Sequence, residues 1–324
     1  MMTRRAYAIV LALALALGLA LWSFLGGWYG SGPLEKETSF VVPSGASLSA
    51  VAERLEEKGL VRSAGGFSLR ARIFAGGRTI KAGEFAIPAH ASPSQVLSII
   101  TSDDVIRRFV TIPEGMPSIM VLERLEANKE LTGKVAVPEE GSVLPDSYAY
   151  QKGDAREEVL RRMQAAMSRT LKELWAERGK DLVVKTPEEA LILASIVEKE
   201  TGKSEERTVV AGLYSNRLKQ GMLLQADPTI IYPITKGKPL GRRIRQSEIQ
   251  AVNDYNTYTM VGLPAHPICN PGRASIEAVL HPAKTDALYM VADGTGGHVF
   301  AASLEKHNEN VKKWFAIRRE RGEI

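Results

Sequence analysis

The sequence predicts an α+β protein behind an N-terminal transmembrane helix. Three observations predict it: an uncharged apolar run near the N-terminus, β-like residues alternating with helix-periodic stretches, and a nearly all-apolar helix ending in two glutamates. The 324 residues allow a small module and a larger domain. With 44% hydrophobic and 24% charged residues and no low-complexity tract, the composition is that of a folded chain, not a disordered one. The net charge of +5 is spread along the chain without an RNA-binding motif or long basic stripe, so nucleic acid is not expected as a partner. Cys269 is the single cysteine, which excludes an intrachain disulfide and a Cys-based zinc site. The five histidines form no metal-ligand motif, and neither metal nor cofactor is expected.

Residues 1–5 include Arg4 and Arg5 and are expected in the cytoplasm. Residues 6–29 carry no charge and are rich in Leu and Ala. At about 1.5 Å per residue such a helix crosses a hydrocarbon core of about 30 Å. The next charge is Glu35, so the positive-inside rule puts the N-terminus in the cytoplasm and the body outside, as a single-pass membrane protein. Trp22, Trp28 and Tyr29 are candidates for the outer interface. A cleaved signal peptide competes with this reading, but its apolar core is normally shorter, and Leu25-Gly26-Gly27-Trp28-Tyr29 offers no clean small-x-small site. Both readings export the rest of the chain. Residues 30–38, opening Gly30-Ser31-Gly32-Pro33, read as a linker.

Residues 39–108 are expected to form a small α+β module of strand–turn–helix units. Val42-Pro43-Ser44-Gly45 precedes Leu48, Val51 and Leu55, and Ile87-Pro88-Ala89-His90 precedes Val96, Leu97 and Ile100. A third unit, Ile112-Pro113-Glu114-Gly115 before Ile119, Leu122 and Leu125, opens the second domain, residues 109–324. Ser47 is placed as a helix cap, with Pro93 and Pro117 near the first helical positions of the other two units. Residues 140–148 carry turn chemistry. Residues 155–178 predict a helix whose Val159, Met163, Met167, Leu171 and Leu174 stripe is core.

Thr186-Pro187-Glu188-Glu189 is a helix start, with Thr186 as cap, Pro187 at N1 and Glu189 able to reach back to the cap backbone. The helix runs from Ala190 to Thr201 and stops at Gly202; its middle is apolar all round, so it is buried. Burial and the negative end of the helix dipole disfavour a charged carboxylate there, the setting that suits a general acid. Glu198 shares a face with Leu191, Ala194 and Ser195, while Glu200 lies behind Leu193, Ile196 and Val197. Periodicity leaves both glutamates open, and equally leaves open plain ion pairs with Lys199, Lys203 or Arg207.

Leu193-Ala194-Ser195-Ile196-Val197-Glu198-Lys199-Glu200-Thr201 is followed in order by Asn216-Arg217-Leu218, Leu224-Gln225-Ala226-Asp227-Pro228-Thr229, Tyr255-Asn256-Thr257-Tyr258, Gly262-Leu263-Pro264, Asn270-Pro271-Gly272, His281-Pro282-Ala283 and Gly296-Gly297-His298. This ordered set resembles the YceG-like endolytic murein transglycosylases over essentially the whole exported chain. Ser147 stands where that family's Pro-Asp-Thr-Tyr element carries Thr, and His266-Pro267 and Cys269 lie in a variable stretch. The resemblance implies that Glu198 is the catalytic acid/base, that residues 39–108 are LysM-like, that residues 109–324 are the catalytic domain, and that the anchor lies in the inner (cytoplasmic) membrane with the catalytic body in the periplasm. It further implies a lyase that cuts the bond between N-acetylmuramic acid and N-acetylglucosamine within nascent strands, leaving a 1,6-anhydro end. Peptidoglycan strands are then the partner, and an association with glycan-polymerising synthases is implied by the resemblance alone. The alternatives are a water-using muramidase and a non-catalytic glycan-binding scaffold for cell-wall synthases.

Gln225 is placed to hydrogen-bond sugar hydroxyls, with Tyr232 nearby; Asp227 before Pro228 is equally a turn former. Tyr255, Asn256, Thr257 and Tyr258 combine rings with amide and hydroxyl groups, as a saccharide groove would, or form a structural loop. Lys236, Lys238, Arg242, Arg243 and Arg245 suit stem-peptide carboxylates or a solvated loop, and His298 reads as a turn or supporting histidine. Gly202-Lys203-Ser204 imitates the end of a phosphate-binding loop, but Val197 replaces its first Gly and a helix precedes it. No Gly-x-Ser-x-Gly elbow occurs.

Overall fold

The computed structural model describes residues 4–323, a mixed helix-and-strand α+β chain. It divides between Arg108 and Phe109 into two compact units. The first begins with α1 (Arg4–Tyr29), within which Ile9–Tyr29 is long and apolar enough to cross a membrane. There follow β1 (Thr38–Val42), α2 (Leu48–Glu57), α3 (Ala64–Phe74), β2 (Gly83–Ile87) and α4 (Pro93–Ile100). β1 and β2 pair antiparallel with Phe40 opposite Phe85. Both rings are buried with Leu55, Ile87, Leu97 and Ile100. Local chemistry sets each helix start: the Ser47 hydroxyl accepts from Ala50 N–H, Ser63 from Gly66 N–H, and Ser92 forms a reciprocal box with Gln95 around Pro93. Glu84 is fully buried at the sheet and ion-paired to Arg108.

Two expectations for this unit are corrected. Trp28 does not stand at the outer interface; it is buried in the core, stacked 5.5 Å from the Phe74 ring and 5.9 Å from Phe67. Residues 30–38 are not a free linker either, because Gly32 N–H donates to His90 O (3.1 Å) and His90 N–H to Leu34 O (2.7 Å). Both follow from the same physics: a large ring gains more from a packed core than from a wet surface, and its burial draws the flanking backbone in.

The second unit holds β3 (Arg108–Thr111), α5 (Ser118–Ala127), β4 (Ser147–Tyr150), α6 (Arg156–Ala176), α7 (Pro187–Glu200), α8 (Arg207–Lys219), α9 (Asp227–Thr235), α10 (Gln246–Ile249), α11 (Arg273–Leu280), β5 (Tyr289–Ala292), β6 (His298–Ala301) and α12 (Leu304–Glu320). Among the described residues the strands form only two-stranded ribbons, β3 with β4 and β5 with β6, so helices carry the core. α7 is its axis and packs against α6, α8, α9 and α11. Leu193, Ala194, Ile196 and Val197 are fully buried on it, beside Leu213, Tyr214, Ile276 and Leu280. Each large apolar side chain buried in this way contributes about 1.5–3 kcal/mol. Thr186 caps α7 as expected, accepting from Glu189 N–H at 3.1 Å. The Glu189 carboxylate, however, takes the N–H of Lys185, one residue before the cap. Pro117 is the cap residue of α5, one position before its first helical residue and so near N1 as expected.

Candidate active site

The last turn of α7 delivers Glu198, whose side chain is only 5% exposed. Its Oε2 accepts from Gly272 N–H at 2.9 Å, and its Oε1 lies 3.6 Å from an Arg207 guanidinium nitrogen. The same nitrogen donates to Glu114 Oε2 at 2.9 Å. Arg207 opens α8 and is 14% exposed, while Glu114 is 46% exposed, so the group runs from a buried carboxylate to an open one.

The backbone around this trio is fixed by Asn270. Its Nδ2 donates to Met116 O (2.9 Å) and Ser118 Oγ (3.1 Å), and its Oδ1 accepts from Val143 N–H (3.0 Å). Gly115 N–H returns a bond to Asn270 O at 2.9 Å. These bonds staple the Asn270-Pro271-Gly272 turn to the turn that carries Glu114. Gly272 is bare for a reason: a Cβ there would stand 2.1 Å from Glu114 Oε1. Gly115 adopts φ +71°, a conformation costly for other residues, with Glu198 Cγ 3.4 Å from where its Cβ would be.

Glu200 looks into a different space. A cavity of about 370 Å³ is lined by Glu200, Tyr214, Arg217, Gln225, Asp227 and Tyr258. Burial pushes the Glu200 carboxyl up to about 7, against the bond from Tyr214. One oxygen of Glu200 lies buried with no protein partner. Arg217 is held by Leu223, Leu224 and Leu288 carbonyls and meets Gln225 Oε1 at 3.2 Å. Tyr258 donates to Asp227, the first residue of α9.

The remaining candidates separate further. Tyr232 and Tyr255 pack ring against ring at 4.8 Å, and the Tyr232 hydroxyl donates to Glu140 Oε2 at 3.1 Å. A groove role for Asn256 and Thr257 is corrected. Both are fully buried, Asn256 donating to the Glu248, Ile249 and Ala251 carbonyls and Thr257 bonded to Ala226 N–H and Thr229. Buried polar groups take internal partners, and these have none left to offer a ligand. In the basic cluster Arg242 pairs with Glu248 and Lys238 with Glu123, while Arg243 and Arg245 are exposed. His298 is no turn residue: it opens β6, its Nδ1 2.8 Å from Glu206 Oε2. The ion pair of Glu198 with Arg207 is one that the sequence left open, whereas Glu114 and Gly272 are not singled out there; the Glu-Gly pair at a Pro turn is the available signal. Among the described residues no cluster of His, Cys, Asp or Glu is arranged to hold a metal ion.

The end of the core helix α7 thus presents, on an α+β scaffold, a near-buried carboxylate held by one backbone N–H and one guanidinium. The YceG-like family model matches residues 40–313, and the chain belongs to that family. It is similar to a Bacillus subtilis protein named endolytic murein transglycosylase, at 27% identity over 89% of each chain. A Streptococcus pneumoniae protein of the same name is 27% identical over 86% of this chain, which spans only 58% of that relative. In fold the chain resembles the solved YceG-like protein of Listeria monocytogenes, with a TM-score of 0.53 and 24% identity over 85% of this chain and 98% of the other.

Proposed function

We propose that this chain is an endolytic lytic transglycosylase of peptidoglycan, anchored in the cytoplasmic membrane with its body outside. The placement of Glu198 carries the reading: a carboxylate 5% exposed, oriented by Gly272 N–H, in a chain whose relatives are named endolytic murein transglycosylases. Glu198 gives its proton to the glycosidic oxygen leaving C1 of N-acetylmuramic acid. It then takes the proton of that sugar's 6-hydroxyl, which closes on C1 as a 1,6-anhydro ring. One proton is given, one is taken, and no water is consumed, so the enzyme is a lyase. An intramolecular nucleophile needs no second carboxylate to activate water.

The cavity of Glu200, Gln225, Asp227 and Tyr258, and the Tyr232–Tyr255 pair, are the zones we assign to neighbouring sugars. The order β1–α2–α3–β2 supports reading residues 39–108 as a LysM-like glycan-binding module. Retention of α1 as an anchor is favoured over a cleaved signal, because Phe24 and Trp28 are bound into the first unit and cleavage after the apolar run would strip both. Membrane attachment holds the active site near nascent strands, which is also where a partnership with polymerising synthases would operate.

One observation favours a second reading. Glu114 joins Glu198 through Arg207, and a water-using muramidase draws on two carboxylates. Digestion of purified peptidoglycan by the full chain, with mass spectrometry of the products, separates the two. Ends in 1,6-anhydro-N-acetylmuramic acid, lost in Glu198→Gln, support the transglycosylase; reducing ends move the protein to the muramidases. Binding without cleavage, unchanged in Glu198→Gln, leaves the scaffold reading.

A further inference from the structure

Outside α1, the large apolar side chains left exposed in the first unit, among the described residues, are Leu69 (56%) and Ile73 (58%). They stand four apart on α3 and so form one patch, on a face turned away from buried Phe67 and Ala71. The patch adjoins the membrane-crossing helix: Arg70 donates to Phe24 O at 2.9 Å with its guanidinium 4.8 Å from the Phe24 ring, and Phe74 stacks on Trp28. Phe24 and Trp28 belong to the last two turns of α1. An apolar run of this length fills a hydrocarbon core of about 30 Å by those turns, so α3 is held at the level of the outer headgroups.

The charge agrees. Between Lys58 and Glu84 the chain has Arg62, Arg70, Arg72, Arg78 and Lys81 and no acidic residue. Gly27 lets Arg70 approach α1, since a Cβ there would lie 2.7 Å from the guanidinium. In the angle between α1 and α3 lies a cavity of about 280 Å³ whose lining includes Ser23, Arg62, Ser63 and Arg70, room for a phosphate group.

We propose that α3 is an interfacial helix seated in the outer leaflet crossed by α1, with Leu69 and Ile73 inserted and the arginines among anionic lipid phosphates. Apolar side chains on one face with basic residues beside them are what such a surface selects. α3 then clamps the first unit to the bilayer. The proposal rests on the anchor reading, and the test tells the two apart.

Cys269 is fully buried, so a single introduced cysteine takes the label. Full-length Ile73→Cys, Glu53→Cys and Leu13→Cys, each carrying an environment-sensitive fluorophore, are reconstituted in phosphatidylethanolamine–phosphatidylglycerol vesicles. Lipid-borne quenchers should cut the signal about twofold or more at position 73 (shallow quencher) and position 13 (deep quencher), and leave exposed position 53 unchanged. Quenching at 13 but not at 73, with iodide reaching 73 as freely as 53, overturns the proposal and leaves the anchor standing. A position 73 shielded from both lipid and iodide also overturns it, because protein then covers the patch. Absence of lipid quenching at 13 overturns the anchor, and the proposal with it.

Discussion

Glu198 and Glu200 are two residues apart on α7, yet their carboxylates meet separate surroundings: Gly272 and Arg207 for the first, the Tyr214 and Arg217 cavity for the second. One helix thereby carries carboxylates into two polar surroundings, because its apolar middle is buried and its last turn has two faces open to polar neighbours. The variants below exploit that separation.

Arg207→Ala removes the cation shared by Glu114 and Glu198. We expect activity to fall about 10²-fold while the fold persists, since charge-assisted bonds of this kind orient reacting groups. Arg207→Lys should recover only part, because one ammonium lacks the guanidinium fork. Cleavage rates beside thermal melts check it; full activity in Arg207→Ala would remove Arg207 from the site.

Gly272→Ala sets a methyl against the Glu114 carboxylate, the mobile tip of a side chain. The expected loss is about 1 kcal/mol, and in a Glu114→Ala background the same change should cost almost nothing. Chemical denaturation of the four proteins of that cycle measures the coupling. A penalty equal in both backgrounds would mean that the methyl meets something else.

Glu200 keeps its proton up to about 7, whereas an unfolded chain releases it near 4.5. Between those values the native state binds more protons, so stability falls as pH rises through the window, by up to about 3 kcal/mol, and levels off above it. Glu200→Gln should flatten this slope. Urea midpoints taken from pH 4 to 8 in both proteins would show it, and parallel curves would contradict it.

Asn270→Ala strips the side-chain bonds to Met116 O, Ser118 Oγ and Val143 N–H from the turn beside Glu198; buried Val143 N–H loses its partner, while Met116 O keeps the backbone N–H of residue 270. A loss of about 2–4 kcal/mol is expected. A melting temperature within a degree of the parent would show that water substitutes for the amide.

What the sequence made legible was local. Thr186-Pro187 announces α7 because a cap and a proline act within one turn, and Ser47 and Pro93 announce their helices likewise. α3 escaped notice because Ala64-Gly65-Gly66 has weak helical preference and tertiary burial of Phe67 decides the matter. α12 is polar along most of its length and gains order only by packing on β5 and β6. Arg207 is near enough in the chain to be read as an ion-pair partner of Glu198, but Gly272, 74 residues away, and the reach of Arg207 to Glu114 across 93 are not legible. No periodicity encodes such a meeting. Asn256 and Thr257 show the converse, since a polar loop facing sugar and one facing its own backbone are spelled alike.

The pinned exit of α1 has a mechanical consequence. Gly32 and Leu34 are tied to His90, and Trp28 is wedged into the first unit, so helix and unit turn as one piece. An apolar helix slightly longer than the local bilayer leans to hide its surplus. Any such lean swings the first unit through the same angle, like a mast carrying its platform. With α1 retained as the proposed anchor, bilayer thickness becomes an input that sets the attitude of that unit to the membrane, with no ligand involved.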